Sequence, residues 1–269
     1  MEYRIGSFNC LKFSHISDKD VKIFSRIIYE ENLDVIALQE VTNKNAVDLI
    51  LKGLPKYWTG SHDSYGNSSS PNDYAYIWNT NRLRECSKDE SPEVFTHMRS
   101  NNLVRKPYYG RFTPAGLIGS AFFEFRLINT HMHFGSNYTV DMEKRREEYR
   151  VLTNEVYTRI NKKRYGSNMP SYTILLGDYN MTYKWCEREN IESQNIQTFQ
   201  YEETTLKLKE EGFSMNYDHF TYDTVSFSDI SAKVSRINSV EKYCGNDYVK
   251  HRKDVSDHVP IVIEINLFK

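Results

Sequence analysis

Two short stretches late in the chain bring metal-competent side chains together: Leu176-Gly177-Asp178-Tyr179-Asn180 and Val255-Ser256-Asp257-His258-Val259-Pro260. Each abuts an apolar run that predicts a buried strand, Thr173-Ile174-Leu175-Leu176 before the first and Ile261-Val262-Ile263 after the second. Asp178 and Asn180 stand two residues apart, so on extended backbone they share a face. Asp257 and His258 are adjacent, and a turn at the strand start must aim both at one place. Two carboxylates, an amide and an imidazole at strand ends suit divalent-metal phosphate chemistry.

Other strand ends carry comparable groups. Asn9 closes a first strand predicted over residues 3–8, and Gln39-Glu40 closes a second over 35–38. Asn129-Thr130-His131 ends a run predicted as a strand over 121–129. Read alone, Glu40 is a cap on the next helix, Asn9 a turn residue and His131 a structural histidine. A zinc pair of His131 and His133 finds no cysteine or further histidine cluster to complete it. The coincidence of five such sets, each at the end of a predicted strand, favours one shared site.

The elements that must hold these groups alternate strand and helix at first. A helix is expected to begin near Ser17-Asp18-Lys19-Asp20, with Val21, Phe24, Ile27 and Ile28 as its apolar stripe and Asn32 at its end. Asn43 caps the next helix, with Ala46, Leu49 and Ile50 facing inward. Residues 61–72, rich in Ser, Asn, Gly and Pro, read as a loop, and 74–78 and 108–112 as strands. Residues 89–106 give no clear assignment. The longest helix is expected over 141–165, with Tyr149, Leu152, Val156 and Ile160 on one side, and a short one over 204–211 ending at Gly212.

With 269 residues the chain suits one domain spanning 1–269, and no solenoid repeat or domain linker interrupts it. A net charge of −1 supplies no global field toward nucleic acid, leaving only a local basic strip to do so. Cys10, Cys86, Cys186 and Cys244 form no CxxC pair, which argues against a zinc site built on them and for reduced thiols. No apolar run nears the roughly 18 residues of a membrane span. The N-terminus reads as a strand start without a signal core. A cytoplasmic monomer without membrane contact is expected, or a secreted protein if a leader has been trimmed.

Taken in order, the five sets resemble the motifs of the endonuclease/exonuclease/phosphatase superfamily, the DNase I-like fold, and most closely its nuclease branch. The match runs from Phe8-Asn9 through Leu38-Gln39-Glu40-Val41, Asn129-Thr130-His131 and Gly177-Asp178-Tyr179-Asn180 to Ser256-Asp257-His258-Val259-Pro260. The resemblance implies a four-layered α/β/β/α sandwich of two mixed sheets with the site at its mouth. It also implies Mg²⁺- or Mn²⁺-dependent phosphodiester hydrolysis. Under it Glu40 is the primary metal ligand, with Asn9 and Asp257 beside it. Asp178 and Asn180 position or deprotonate the water, and His131 and His258 divide acid–base duty.

The same resemblance gives Arg105, in Val104-Arg105-Lys106-Pro107-Tyr108, a phosphate contact and puts Tyr76 near the substrate. Arg99, Arg105, Lys106 and Arg111, interleaved with Tyr108 and Tyr109, would then form a basic strip. Two departures stand out. Where the nuclease branch sets a supporting glutamate for the first histidine, this chain has Asn72 and Asp73. Where it orients the second histidine with an aspartate, Ser235-Arg236-Ile237-Asn238 offers Asn238, with Asp218 and Asp247 as rival matches. The expected function is an endonuclease acting on DNA. The alternatives are a phosphatase or phospholipase-like enzyme acting on inositol phosphate or sphingomyelin, and a non-catalytic binding protein that keeps the fold.

Overall fold

A computed structural model describes residues 1–63, 74–86, 93–94, 103–116, 123–135, 137–164, 169–190 and 195–267. Asn72, Asp73, Arg99, residues 121–122 of the predicted strand, Tyr165, and most of the loop over 61–72 and the unassigned stretch over 89–106 lie outside them.

Two mixed sheets stack face to face. The first runs, in spatial order, β12 (Ile230–Arg236), β13 (Ile261–Leu267), β1 (Glu2–Phe13), β2 (Val35–Val41), β4 (Ala75–Asn79) and β3 (Trp58–His62). The second runs β10 (Ile196–Phe199), β11 (Asp218–Asp223), β9 (Ser171–Asp178), β8 (Glu124–His131), β7 (Tyr108–Pro114) and β5 (Leu83–Glu85), with β6 (Glu93–Val94) also on β7. Each sheet has one parallel pair, β1 with β2 and β8 with β9, at its centre.

Alternation along the strands builds the layers. Tyr3, Ile5, Val35 and Ala37 from one sheet meet Phe125, Leu127, Ile174 and Leu176 from the other in the inter-sheet core. Aromatic pairs lock it, among them Tyr3–Phe125 at 5.3 Å and Tyr76–Phe112 at 5.5 Å, both edge-on. The opposite faces of β1 and β2 carry Phe8, Ile36 and Leu38 under α1 (Val21–Glu30) and α2 (Lys44–Lys52). Asp20 and Asn43 cap those helices through their side-chain oxygens.

The outer face of the second sheet lies under one long helical run. It comprises α3 (Tyr138–Arg150), a π-helical stretch Val151–Tyr157, and α4 (Thr158–Lys162). Tyr149, Leu152, Val156 and Ile160 face the sheet, as their spacing predicts. Among the described residues three short helices remain: α5 (Tyr183–Glu189), α6 (Ser239–Cys244) and α7 (Tyr248–Asp254). The architecture is the expected four-layered α/β/β/α sandwich.

The helix expected over 204–211 is instead one arm of a hairpin. Thr204 N and Ser214 N donate across to Met215 O and Thr205 O, Lys207 N donates to Gly212 O, and Leu206 bridges Phe213. Leu206 is buried against Val240 and Val259, while Leu208, beyond the last paired residue Lys207, is exposed. Gly212, at φ 107°, makes the turn that other residues resist.

Candidate active site

Because β8 and β9 are parallel and in register, His131 pairs with Asp178, and on the other side of β9 Asp218 pairs with Asp178. Three strands thus deliver an imidazole and two carboxylates side by side. The register depends on Gly177, whose φ is 138° and where a Cβ would overlap the carbonyl oxygen of Thr130. From the other sheet Asn9 reaches across, its Nδ2 donating to Asp178 Oδ2 at 2.9 Å and to Glu40 Oε1 at 3.2 Å. Beneath this level Gln39 Nε2 donates to Asn129 Oδ1 at 2.7 Å, a buried amide bridge that fixes one sheet against the other.

Glu40 is aimed by backbone irregularity. The β1–β2 register slips between Asn9 and Phe13, and Leu11, Lys12 and Glu40 all take left-handed φ, at 47°, 52° and 57°. Such residues cost of order 1–3 kcal/mol each and persist where the surrounding structure holds them. Here Leu11 N donates to Asn9 Oδ1 at 2.9 Å and Lys12 N to Glu40 Oε2 at 3.0 Å. The bulge is tied to the late motif by Ser256, whose Oγ donates to Asn9 O at 2.7 Å and accepts from His258 N at 3.1 Å.

Asp178 is the hub. Its Oδ2 lies 3.6 Å from Nε2 of both His131 and His258, and its Oδ1 accepts from Asn180 N at 2.8 Å. Burial pushes this carboxyl up to about 7 against the pull of His258. Burial would lower His258, but the carboxylates of Asp218 and Asp178 outweigh it and hold the imidazole up at about 10. His131 moves the opposite way, driven well below its ordinary value by burial and by the positive charges of Arg105 and His258. The two histidines therefore differ at neutral pH, one cationic and one neutral.

Asp218 is the partner of His258. His258 Nδ1 donates to Asp218 Oδ2 at 2.8 Å, and Thr204 Oγ1 donates to the same oxygen at 2.5 Å. Asn238 is not in the site. Its side chain caps α6, accepting from Glu241 N at 3.3 Å, because the strand carrying Ser235 and Arg236 ends before it. Asp247 likewise caps α7, accepting from Lys250 N at 2.8 Å. Tyr76 is fully buried between the sheets, its hydroxyl bonded to the carbonyls of Tyr108 and Leu127, and cannot meet a substrate. Inward alternation on β4 put it there.

The same alternation removes Arg111 from the expected basic strip, whose Arg99 lies outside the described residues. Arg111 faces the outer side of β7, buried in an ion pair with Glu124, and Tyr108 and Tyr109 are buried. Arg105 does line the cleft, with Nη1 donating to Met132 O at 2.8 Å and to His131 O at 3.2 Å. Glu148 of α3, nearly inaccessible, draws the two segments together by accepting from Val104 N and His133 N, each at 2.7 Å.

The cleft above these groups holds about 510 Å³ and is lined by Asn9, Glu40, His131, Asp178, Asn180, Asp257 and His258, with Lys12, Arg105 and Arg252 at its sides. Among the described residues no three His, Cys, Asp or Glu side chains form a ready-made metal cage. Mg²⁺ needs no such cage, since it uses one or two carboxylates and keeps its waters. Asp257 Oδ1 is buried with no donor, and Glu40 lines the same cleft, so the donor set fits a hard divalent cation. Asn9 presents its amide nitrogen to the carboxylates and its oxygen to Leu11, which makes it an orienting residue for Glu40 and Asp178.

Sequence reasoning passed over Thr204, Glu148 and the β11 strand. The Phe220-Thr221-Tyr222 core of β11 carries the aromatic and β-branched signal that would have marked it as a strand and Asp218 as its entry.

The chain resembles several solved structures along almost all its length. Zebrafish (D. rerio) TDP2 complexed with single strand DNA product matches with a TM-score of 0.66 at 14% identity, covering 98% of this chain and 99% of that one. A mannosyl-6-phosphatase of Bacteroides thetaiotaomicron matches with a TM-score of 0.64 at 14% identity, covering 98% and 99%. A Bacteroides thetaiotaomicron endonuclease/exonuclease/phosphatase family protein matches with a TM-score of 0.64 at 14% identity, covering 99% and 95%. No curated protein sequence matches. Among the described residues no helix is long and apolar enough to cross a membrane. The sequence pattern of the Endonuclease/Exonuclease/phosphatase family matches residues 6–258, and the chain belongs to that family of phosphoester hydrolases.

Proposed function

We propose that this protein is a divalent-metal-dependent phosphodiesterase that cleaves a polynucleotide, with DNA the preferred reading. The observation that carries it is Asp178 Oδ2, 3.6 Å from both His131 Nε2 and His258 Nε2 at the floor of a cleft whose sides carry Lys12, Arg105 and Arg252. Carboxylate and imidazoles serve the reacting phosphate, and the side cations serve a chain of further phosphates, which a monoester lacks. The likeness to a TDP2 bound to single-strand DNA product supports the same substrate class.

Glu40 and Asp257 would hold the cation, which when bound acts as a Lewis acid toward phosphate oxygens. Asp178, fixed by Asn9 and Asn180, takes a proton from the attacking water as its oxygen bonds to phosphorus. His258, kept cationic by Asp218, presents Nε2–H to the phosphate, offsets the charge that builds there and gives that proton to the leaving oxygen as its ester bond breaks. His131, neutral, contributes a single N–H on the other side of Asp178.

The test is one panel with Mg²⁺: single-stranded oligonucleotide, plasmid, RNA, a hexose 6-phosphate, an inositol phosphate and sphingomyelin. Turnover of the polynucleotides at least about 100-fold above the monoesters is expected. A preference for the hexose phosphate would overturn the substrate assignment while leaving the chemistry in place.

A further inference from the structure

Two apolar side chains stand in water within the catalytic cleft. Phe134 is 65% exposed and Leu208 82% exposed, and both line the cleft that holds His131, Asp178 and His258. Neither sits on loose backbone. The segment before Phe134 is pinned by Arg105 and Asn180 on Met132 O, and by Glu148 and Arg145 on His133 N and O. The base of the Leu208 hairpin is pinned by Leu206 N on Asp257 O at 2.8 Å, Val259 N on Thr204 O at 2.9 Å, and Arg252 on the carbonyls of Leu206 and Lys207. Exposed apolar groups on a fixed frame beside a reaction centre mark a contact surface for something partly apolar.

We infer that Phe134, with Leu208, forms the stacking and packing surface for an unpaired nucleobase flanking the scissile phosphate, an inference that rests on the polynucleotide reading above. A ring and an aliphatic tip can cover the face of a base whatever its identity, while Lys12 and Arg105 line the same cleft for the adjoining phosphates. A duplex leaves no base face uncovered near its backbone, so the contact selects single strands, frayed ends or flipped bases. A lipid fits less well, because Leu208 is flanked by Lys207, Lys209, Glu210 and Glu211, charges that resist insertion into hydrocarbon. The hydroxyls of a phosphosugar would find no polar partner on either side chain.

The test couples a change in the protein to a change in the strand. Short single strands with one cleavable phosphodiester carry either a base or an abasic tetrahydrofuran residue beside it, and kcat/KM is measured with Mg²⁺ for wild type, Phe134→Ala and Leu208→Ala. Removing the base should cost wild type about tenfold, and Phe134→Ala should cost about the same on the base-bearing strand. Together the two changes should cost no more than either alone, since each removes the same contact. Leu208→Ala should show the same coupling with a smaller loss, about threefold. Independent, multiplying losses, or no loss in Phe134→Ala, would overturn the inference and leave the polynucleotide reading standing. A wild type that cuts neither strand would overturn both.

Discussion

Replacing Asp218 by Asn tests how the site keeps one histidine charged. In the wild type His258 is held at about 10, with Asp218 Oδ2 only 2.8 Å from Nδ1. An asparagine carbonyl can take the place of Oδ2 for both His258 and Thr204, so the ring stays in position while the negative charge is lost. Asp178 and Asp257 still pull upward, but the largest upward pull is gone and burial draws His258 down from about 10 toward its ordinary 6.5. A ring brought to 6.5 would be about 3% cationic at pH 8, so the lost charge lowers kcat/KM by up to about 30-fold. Loss of a preorganised charged donor extends that toward roughly 10³-fold. The assay is kcat/KM for oligonucleotide cleavage from pH 5.5 to 9. Wild-type activity should rise as pH climbs through about 7, where Asp178 ionises, and then stay level. Asp218→Asn should instead decline within this range, as the lowered His258 gives up its proton. Stability follows the same sign. A group whose folded value is raised contributes fully below its unfolded value, about 6.5. That contribution disappears as pH rises through about 10, so the gap in Tm between wild type and variant should narrow toward alkaline pH. A variant within about threefold of wild type at pH 8, or a deficit that does not change with pH, would refute this role for Asp218.

Asn238→Ala should lower stability by about 1 kcal/mol, the worth of a helix cap, without changing kcat/KM; a 100-fold rate loss would return Asn238 to the catalytic set. Tyr76→Phe should likewise cost about 1 kcal/mol in thermal unfolding and leave KM unchanged, since its hydroxyl serves only buried carbonyls. Glu148→Gln turns an amide donor toward one of two backbone N–H groups and should loosen the segments holding Arg105 and His131, with kcat/KM down about tenfold. In an Arg105→Ala background that loss should shrink; full additivity would reduce Glu148 to a fold residue.

Apolar runs with polar residues at their ends marked single strands of one α/β domain, and the sandwich itself was implied only by the resemblance of those strand-end motifs to a family. Asp178 and His131 end β9 and β8, while His258 lies in the turn before β13, held by its bridge to Thr205 and its bond to Asp218. Asn238 and Tyr76 failed for opposite reasons. The chain leaves β12 before Asn238 and gives that residue to a helix, a boundary that sequence fixes poorly. Tyr76 lies on the inward face of its strand, which the run 74–78 alone does not reveal. Thr204 and Glu148 reach the site through contacts between distant segments, which no local pattern encodes, and Asp218 was one of three rival matches until its strand placed it beside Asp178. The 204–215 hairpin was hidden by a polar stretch compatible with either helix or strand, and its Leu206-Lys207-Leu208-Lys209 alternation of apolar and charged residues was the sign of a strand in the sequence.

The central claim is that Glu40 holds a divalent cation on which phosphodiester cleavage depends. It is tested most directly by stripping the protein with chelator and titrating Mg²⁺ back while following cleavage of a labelled oligonucleotide, wild type against Glu40→Gln. The stripped wild type should be inactive and recover with Mg²⁺, and Glu40→Gln should need at least about tenfold more Mg²⁺ and reach a lower maximal rate. Full cleavage after exhaustive chelation, or identical Mg²⁺ curves for the two proteins, would contradict it.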